Sequence, residues 1–311
     1  MNKSQEKKIL VTGGSGFLGF HVIHELKKRG YKNIIAPRSS EYDLRNQNQL
    51  ENLFSSQLPE IVIHLAAVVG GIGANQKNPG SFFYDNAIMG IQLLEISRRY
   101  SIEKTVIVGT VCSYPKFASV PFNEKDIWDG YPEETNAPYG LAKKMLLVQA
   151  QAYREQYASN MIYLLPVNLY GPRDNFNPET SHVIPALIKK FIEAKEQNLL
   201  EVHVWGTGKP TRDFIYVVDA AEGIVAAMES YNKESPVNLG SGLEISINEL
   251  ANIIKKEIGS NAKIIFDTSK PDGQPRRSLN TALAEKEFGF KSKTNFEDGI
   301  RKTVKWYLKN K

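Results

Sequence analysis

Apolar and polar positions in the first half of the chain follow two alternating patterns. Short runs rich in β-branched residues predict strands, and longer runs with apolar residues every three to four positions predict helices between them. The predicted strands span 9–12, 33–36, 61–65, 104–109 and 161–166, and the predicted helices span 17–29, 47–56, 79–100 and 139–157. Because continuous apolar strands separated by helices are typical of a parallel sheet covered on both faces, this half predicts a doubly wound α/β fold.

The pattern changes at Gly171-Pro172, which is followed by a loop rich in Asn, Pro and Asp. Beyond it, the spacing predicts helices at 182–194, 218–229, 248–258 and 295–308, and strands at 202–205 and 264–266. A further apolar strand at 237–240 is expected to return to the main sheet. The helix at 139–157 has apolar residues at helical spacing that are expected to form its buried face: Leu141, Met145, Val148, Ala152 and Tyr153.

Composition and charge exclude several classes of protein. The 311 residues include 41% hydrophobic and 23% charged side chains, as in ordinary globular proteins. The net charge of +5 comes from scattered basic residues, so no nucleic-acid partner is expected. Residues 1–8 do not resemble a targeting signal, and no apolar stretch approaches the ~20 residues of a membrane span, so a cytoplasmic protein without a membrane partner is expected. The single cysteine, Cys112, excludes an internal disulfide or a cysteine metal cluster and favours a reducing compartment.

The loop after the first predicted strand carries the residues of a dinucleotide site. It contains Gly14-x-Gly16-x-x-Gly19 and reads, in full, Gly13, Gly14, Ser15, Gly16, Phe17, Leu18 and Gly19. The early glycines form a tight turn that lets the backbone approach a pyrophosphate, and the last glycine lets the helix pack on the strand. The helix N-terminus then favours the anion. A Rossmann-type cofactor site is therefore predicted here.

The segment after the second strand indicates which dinucleotide binds. An acidic residue at this point usually holds the ribose hydroxyls of NAD, whereas an arginine accommodates the extra phosphate of NADP. Arg38 and Ser39 come first here and Glu41 follows later. The sequence therefore favours NADP, used as NADPH, over NAD.

Three residues predict acid–base chemistry at the same end of the sheet. Tyr139 and Lys143 are four residues apart and share one face of a predicted helix. A lysine ammonium beside a phenol stabilises the phenolate, so the pKa of Tyr139 is expected to fall toward working pH. Thr110 follows the fourth strand, at the strand end that faces the ligand crevice, where its hydroxyl is expected to bind the same substrate oxygen as Tyr139.

These features resemble the extended short-chain dehydrogenase/reductases of the NAD-dependent epimerase/dehydratase family, which act mainly on nucleotide sugars. The resemblance extends over almost the whole chain and includes 64–67 and 168–172 besides the glycine loop and the Thr110, Tyr139 and Lys143 set. It implies that the cofactor also contacts Asp43, Leu44, Ala66, Ala67 and Asn168, in addition to Tyr139 and Lys143.

Four longer segments resemble one group of that family, the enzymes that epimerise C3 and C5 and then reduce C4 of GDP-4-keto-6-deoxy-mannose. The segments are 69–75, 112–116, 174–176 and 181–187. The resemblance implies that Cys112 is the base and His182 the acid of epimerisation. It further implies that the nucleotide sugar is bound by Asn168, Lys190, Trp205, Arg212 and Arg277, whereas Arg276 is equally compatible with a surface ion pair.

The sequence is compatible with alternative functions. The protein could be an epimerase only or a 4-reductase only, acting on another GDP-linked 4-keto sugar. A UDP-sugar 4-epimerase recycles bound NAD and would not need Arg38. A cofactor-binding sensor without turnover would not need the complete set of Thr110, Tyr139 and Lys143.

The change of pattern near residue 170 predicts the organisation of the chain. A dinucleotide-binding Rossmann domain is expected over 1–170 and a smaller α/β domain, mainly for the nucleotide-sugar substrate, over 171–311, with 215–240 returning to the first domain. A cleft is expected between them. The resemblance further implies a homodimer, with the helices at 79–100 and 139–157 forming a four-helix interface.

Overall fold

The computed structural model describes residues 3–311; Met1 and Asn2, which belong to the segment expected to carry no targeting signal, lie outside the described residues. The strands are β1 (Ile9–Thr12), β2 (Ile34–Ile35), β3 (Ile61–His64), β4 (Lys104–Val108), β5 (Met161–Pro166), β6 (Asn168–Tyr170), β7 (Glu201–Trp205), β8 (Thr211–Tyr216), β9 (Val237–Leu239), β10 (Glu244–Ser246), β11 (Lys263–Asp267) and β12 (Arg276–Arg277). The α-helices are α1 (Phe17–Lys28), α2 (Gln47–Gln57), α3 (Ile72–Lys77), α4 (Pro79–Arg99), α5 (Ala137–Tyr157), α6 (Val183–Glu196), α7 (Val217–Ser230), α8 (Ile247–Ile258), α9 (Ala282–Phe288) and α10 (Phe296–Asn310). Across this part of the chain, no helix combines the length and apolar character needed to cross a membrane.

A six-stranded parallel sheet dominates the described residues, with the order β2-β1-β3-β4-β5-β9. Strand β2 lies on one side of β1, and the chain then crosses over to place β3 on the other side, so a crevice opens at the carboxyl ends of β1 and β3. Helices cover both faces, because Ile9 and Val11 pack into one apolar cluster whereas Leu10 packs into another. The predicted doubly wound α/β fold is confirmed.

The later part of the chain builds a second apolar cluster beside this sheet. Tyr170, Phe191, Leu250 and Ile300 are among its buried members. Strand β8 pairs with β6, β10 and β12, and β7 pairs with β11 in a separate two-stranded sheet. Strand β9 instead pairs with β5 in the large sheet. Leu187 and Val204 of the second cluster line the same cavity as Gly13 and Ala66, which follow β1 and β3, so this cluster forms the opposite wall of the crevice.

The prediction of the buried face of α5 is wrong in part. Met145 and Tyr153 pack against the core, but Val148 is 50% exposed and Ala152 is also exposed. The fully buried apolar residues lie on a second stripe that includes Leu146, which approaches α4 closely because a Cβ on Gly90 would overlap its side chain. Periodicity alone marks both stripes equally.

Candidate active site

One large cavity of about 960 Å³ lies at the carboxyl ends of the large sheet's strands. Its wall includes the glycine loop on one side and residues of β7, α6 and the 271–277 segment on the other. Most of the residues predicted to act on cofactor or substrate line this single cavity: Gly13, Ser15, Gly16, Phe17, Leu18, Gly19, Asp43, Leu44, Ala66, Ala67, Thr110, Cys112, Tyr139, Lys143, Asn168, His182, Lys190, Trp205, Arg212 and Arg277. Two predicted cofactor residues, Gly14 and Arg38, are not part of this lining.

The glycine loop is shaped for a close backbone approach. Gly13 has φ +71°, a left-handed conformation that favours glycine. A Cβ on Gly19 would lie 2.6 Å from the Cα of Gly14 and would overlap the Gly13 carbonyl oxygen, so only glycine fits. Gly16 is the N-cap of α1 and has no side chain to occupy the first-turn N–H groups. These groups are therefore available to an anion such as a pyrophosphate, and the loop fits a dinucleotide.

The ends of β2 and α2 hold the charged residues that would face the cofactor's adenosine half. The carboxylate of Glu41 accepts a hydrogen bond from the backbone N–H of Arg38 at 2.8 Å. Asp43 forms an ion pair with Arg45 at 2.8 Å, and Arg45 also reaches Asp85. Within residues 3–311, the Arg38 guanidinium forms no ion pair. Arg38 is therefore the cation in this region that remains available for a phosphate.

Thr110, Tyr139 and Lys143 are held together by the packing of α5 on β5 and on the turn at 111–113 that follows β4. Gly140 permits the approach, because a Cβ there would lie 2.9 Å from the carbonyl carbon of Cys112 and closer still to its oxygen. The Tyr163 hydroxyl donates to the Lys143 carbonyl at 2.8 Å, and the Ser113 hydroxyl donates to the Gly140 carbonyl at 3.0 Å. The start of the helix is thus fixed against the strand ends.

The pKa shifts differ from the prediction. Burial raises the pKa of Tyr139, a negative charge on Cys112 raises it further, and a hydrogen bond with Thr110 lowers it by less. Burial also lowers the pKa of Lys143 from 10.5 to about 8, since water is excluded around the ammonium. The predicted lowering of the Tyr139 pKa is therefore wrong for the ligand-free protein, because desolvation of the phenolate dominates and Lys143 is not among the groups that shift the pKa of Tyr139.

The candidate epimerase pair flanks the same cavity. Cys112 lies in the turn after β4, and its backbone N–H donates to the Thr110 hydroxyl oxygen at 3.2 Å. His182 is the N-cap residue of α6 and its ring faces the open cleft. Enclosure by the surrounding protein, followed by repulsion from Arg277, lowers the pKa of the His182 imidazole.

The three arginines predicted near the nucleotide have different environments. Arg276 is exposed and forms a surface ion pair with Glu244 at 2.6 Å. Arg212 is buried, and its guanidinium donates to the carbonyls of Thr211, Asp272 and Gln274. Burial and repulsion from Arg277 lower the pKa of Arg212 to about 9. Arg277 is buried with its Nη1 atom 3.6 Å from Cys112 Sγ.

Of the predicted substrate residues, two bind backbone carbonyls of the protein and one is exposed to the cavity mouth. Asn168 donates to the Asp213 carbonyl at 2.9 Å, and Lys190 donates to the His203 carbonyl at 2.7 Å. Trp205 is 49% exposed at the cavity mouth, where Lys270 lies 5.5 Å from its ring centroid. An exposed aromatic face beside a cation fits a nucleotide base. In the region the structure describes, no group of three or more His, Cys, Asp or Glu side chains is placed to hold a metal.

The comparison with known proteins matches the sequence to the NAD dependent epimerase/dehydratase family over residues 9–240. The chain belongs to this family. A curated relative, the probable GDP-L-fucose synthase 1 of rice (Oryza sativa subsp. japonica), is 40% identical over 304 residues, covering 97% of this chain and 92% of the relative. The predicted family resemblance is thereby confirmed.

Two solved structures of similar proteins extend the comparison. A GDP-L-fucose synthetase from Naegleria fowleri bound to NADP is 34% identical, with a TM-score of 0.89 over 98% of this chain and 95% of that one. A GDP-6-OMe-4-keto-L-xylo-heptose reductase from C. jejuni has a TM-score of 0.94 at 27% identity over 99% of both chains. The family fold therefore includes both a synthetase and a reductase of GDP-linked sugars among the proteins that resemble this chain.

Sequence reasoning missed Gln274, which is 1% exposed and lines the cavity of this family member. It lies next to the 271–273 motif, but its own position carries no recognisable signal. Its importance comes from contacts with a loop 159 residues earlier in the chain, and local patterns do not predict such contacts.

Proposed function

We propose that this protein converts GDP-4-keto-6-deoxy-mannose to GDP-L-fucose by 3,5-epimerisation followed by NADPH-dependent reduction of the C4 ketone. The observation that carries the proposal is that one cavity is lined by the acid–base set of Thr110, Tyr139 and Lys143 and by the second pair, Cys112 and His182. Reduction alone needs only the first set. The similarity to GDP-L-fucose synthases over nearly the full chain supports the same reading.

Each step requires a group that the cavity supplies. A base on one face of the sugar removes the proton beside the ketone, and an acid on the other face returns one, so Cys112 and His182 are assigned these roles. The ketone oxygen gains negative charge in both epimerisation and reduction. The hydroxyls of Thr110 and Tyr139 would donate to that oxygen, and Tyr139 would give it a proton during reduction.

The cofactor proposed is NADPH, which supplies the hydride that C4 receives. The glycine loop would hold the pyrophosphate, and Arg38 would hold the 2′-phosphate, since Glu41 is engaged by the backbone. Lys143 Nζ forms no hydrogen bond to protein within residues 3–311, so it is available to a cofactor hydroxyl. Asp43, Leu44, Ala66, Ala67 and Asn168 are assigned to the cofactor on the family resemblance.

The test is incubation with GDP-4-keto-6-deoxy-mannose in D2O, with and without NADPH, followed by mass spectrometry and NMR. Deuterium at C3 and C5 together with NADPH-dependent formation of GDP-L-fucose is the expected result. Tyr139→Phe should lose reduction by at least ~100-fold while NADPH still binds, because only the proton donor is removed. Cys112→Ser should lose deuterium incorporation much more than reduction of an already epimerised substrate.

A 4-reductase without epimerisation is the second candidate, favoured by the structural similarity to the C. jejuni heptose reductase. Reduction without deuterium incorporation would select it. Incorporation without reduction would indicate an epimerase. Absence of both reactions would refute this substrate, and other GDP-linked 4-keto sugars would be tested next.

The organisation proposed for the working protein is a cytoplasmic homodimer. Residues 1–170 with 215–240 would form the cofactor domain, and the rest of 171–311 would bind the substrate. The exposed apolar side chains of α4 and α5, including Phe83, Tyr84 and Val148, support a dimer interface on these helices. The single cysteine and the use of NADPH fit a reducing compartment.

A further inference from the structure

We propose that Arg277, fixed in place by Gln274, is the cation that keeps Cys112 in its role as the base of epimerisation, instead of a ligand of the substrate's diphosphate. The inference rests on the proposed function and deepens it. It reassigns Arg277, and it gives Gln274 a positioning role.

Strand β12 separates its two arginines by the alternation of side chains along a strand. Arg276 points outward to Glu244 and Arg277 points inward to the cavity wall. There the Nη1 atom of Arg277 lies 3.6 Å from Cys112 Sγ and 3.5 Å from Asn168 Oδ1. The guanidinium thus contacts the candidate base directly.

The environment of Arg277 lacks a fixed counter-ion. It is 6% exposed, and no carboxylate in residues 3–311 forms an ion pair with it. Its hydrogen-bonding neighbours Asn168 and Gln274 are neutral. The other ionisable groups that its charge affects, Arg212 and His182, are repelled by it, so Cys112 is the contact that can offer a negative charge. A buried cation is costly unless an anion accompanies it, and a thiolate at this distance fulfils that need.

Gln274 fixes both partners of this contact. Its Nε2 donates to the carbonyls of Pro115 and Lys116, each at 3.1 Å, in the loop that follows Cys112. Its Oε1 accepts from the Arg277 Nε atom at 3.1 Å. Its backbone carbonyl accepts from Arg212 at 2.6 Å. One buried amide therefore sets the distance between the guanidinium and the cysteine loop.

The same charge also acts on the proposed acid. Repulsion from Arg277 adds to desolvation in lowering the pKa of His182, so His182 holds its proton less strongly and gives it up more readily once it is protonated. In each inversion the thiolate takes a proton from carbon, leaving an enolate and a thiol, and protonated His182 returns a proton to the opposite face. Solvent then removes the thiol proton and reprotonates the imidazole, which explains why deuterium would enter from D2O.

The first experiment is alkylation of the holoenzyme with iodoacetamide from pH 6 to 10, since Cys112 is the only cysteine in the chain. Arg277→Gln should lower the alkylation rate at pH 7 by at least ~10-fold, with convergence toward the wild-type rate near pH 10. Arg277→Lys should recover part of the rate, and Gln274→Leu should fall between the two. Arg276→Gln, the matched control from the same strand, should alkylate like the wild type.

The second experiment compares deuterium incorporation with reduction of epimerised substrate in the same variants. The ratio of incorporation to reduction should fall at least ~10-fold in Arg277→Gln. An unchanged alkylation profile, or an equal rise in KM for both substrates, would overturn the proposal and return Arg277 to diphosphate binding. If the wild type incorporates no deuterium, the proposed function fails, while the alkylation comparison still tests the Arg277–Cys112 contact. Circular dichroism of Arg277→Lys and Gln274→Leu separates these effects from misfolding.

Discussion

Lys143 is expected to be required for catalysis and to destabilise the ligand-free folded protein. Its replacement by methionine tests both expectations. The side chain is 2% exposed and has no hydrogen-bond partner for its ammonium in the described residues. Methionine keeps most of the apolar stem and removes the charge. Lys143→Met is therefore expected to abolish reduction while making the cofactor-free protein more stable.

The expected gain in stability on Lys143→Met substitution follows from the pKa shift of Lys143. Burial lowers the pKa of Lys143 from 10.5 to about 8, which corresponds to about 3 kcal/mol of destabilisation at pH 7. Between pH values of about 8 and 10.5 the folded protein releases the proton while the unfolded chain retains it. The free energy of unfolding of the wild type therefore rises with pH in this range. The advantage of Lys143→Met should thus fall by about half at pH 9.5.

The assay is equilibrium denaturation by urea of protein freed of cofactor, at pH 7 and at pH 9.5. Lys104 offers a matched control, because burial also lowers its pKa to about 8 but its ammonium donates to the Ala227 carbonyl, far from the cavity. Lys104→Met should retain activity. A Lys143→Met variant no more stable than the wild type at pH 7, or an advantage independent of pH, would refute the reasoning.

Three further predictions address cofactor and assembly. Arg38→Ala should raise the KM for NADPH by about 10-fold and leave that for NADH nearly unchanged, whereas Arg45→Ala, whose cation is paired with Asp43, should alter the preference less. Gly19→Ala should abolish NADPH binding in a fluorescence titration, because its Cβ overlaps the loop, whereas Gly80→Ala, with open space around it, should bind normally. Val148→Glu should convert a dimer to a monomer in sedimentation velocity, and Leu200→Glu, at a site 84% exposed in the second part of the chain, should not.

The sequence predicted the large sheet well because its strands are apolar on both faces and its helices are long. The return of 237–240 to that sheet was also visible as an isolated apolar run. Strand β8 was missed, since it buries Arg212 and Asp213 in place of apolar residues. Polar residues that are buried through specific hydrogen bonds break the pattern on which strand prediction depends.

Most of the predicted site residues line one cavity, but the electrostatics of that cavity were not predicted. Chain spacing placed Tyr139 and Lys143 on one helix face, and strand ends placed Thr110 near them. The balance between attraction and desolvation depends on burial, which spacing does not report. The contact of Arg277 with Cys112 depends on tertiary packing in the same way.

The backbone hydrogen bond from Cys112 to the Thr110 hydroxyl links the two proposed reactions physically. Because Thr110 Oγ1 accepts from that N–H, its own proton is directed to the neighbouring Tyr139 hydroxyl, and the two hydroxyls together would bind the ketone oxygen of the substrate. The same turn thus orients the hydroxyl needed for charge on oxygen and carries the thiol needed for proton removal from carbon. Since both reactions develop charge on one oxygen, a single hydroxyl pair serves both, and the sugar need not move between separate sites for epimerisation and reduction.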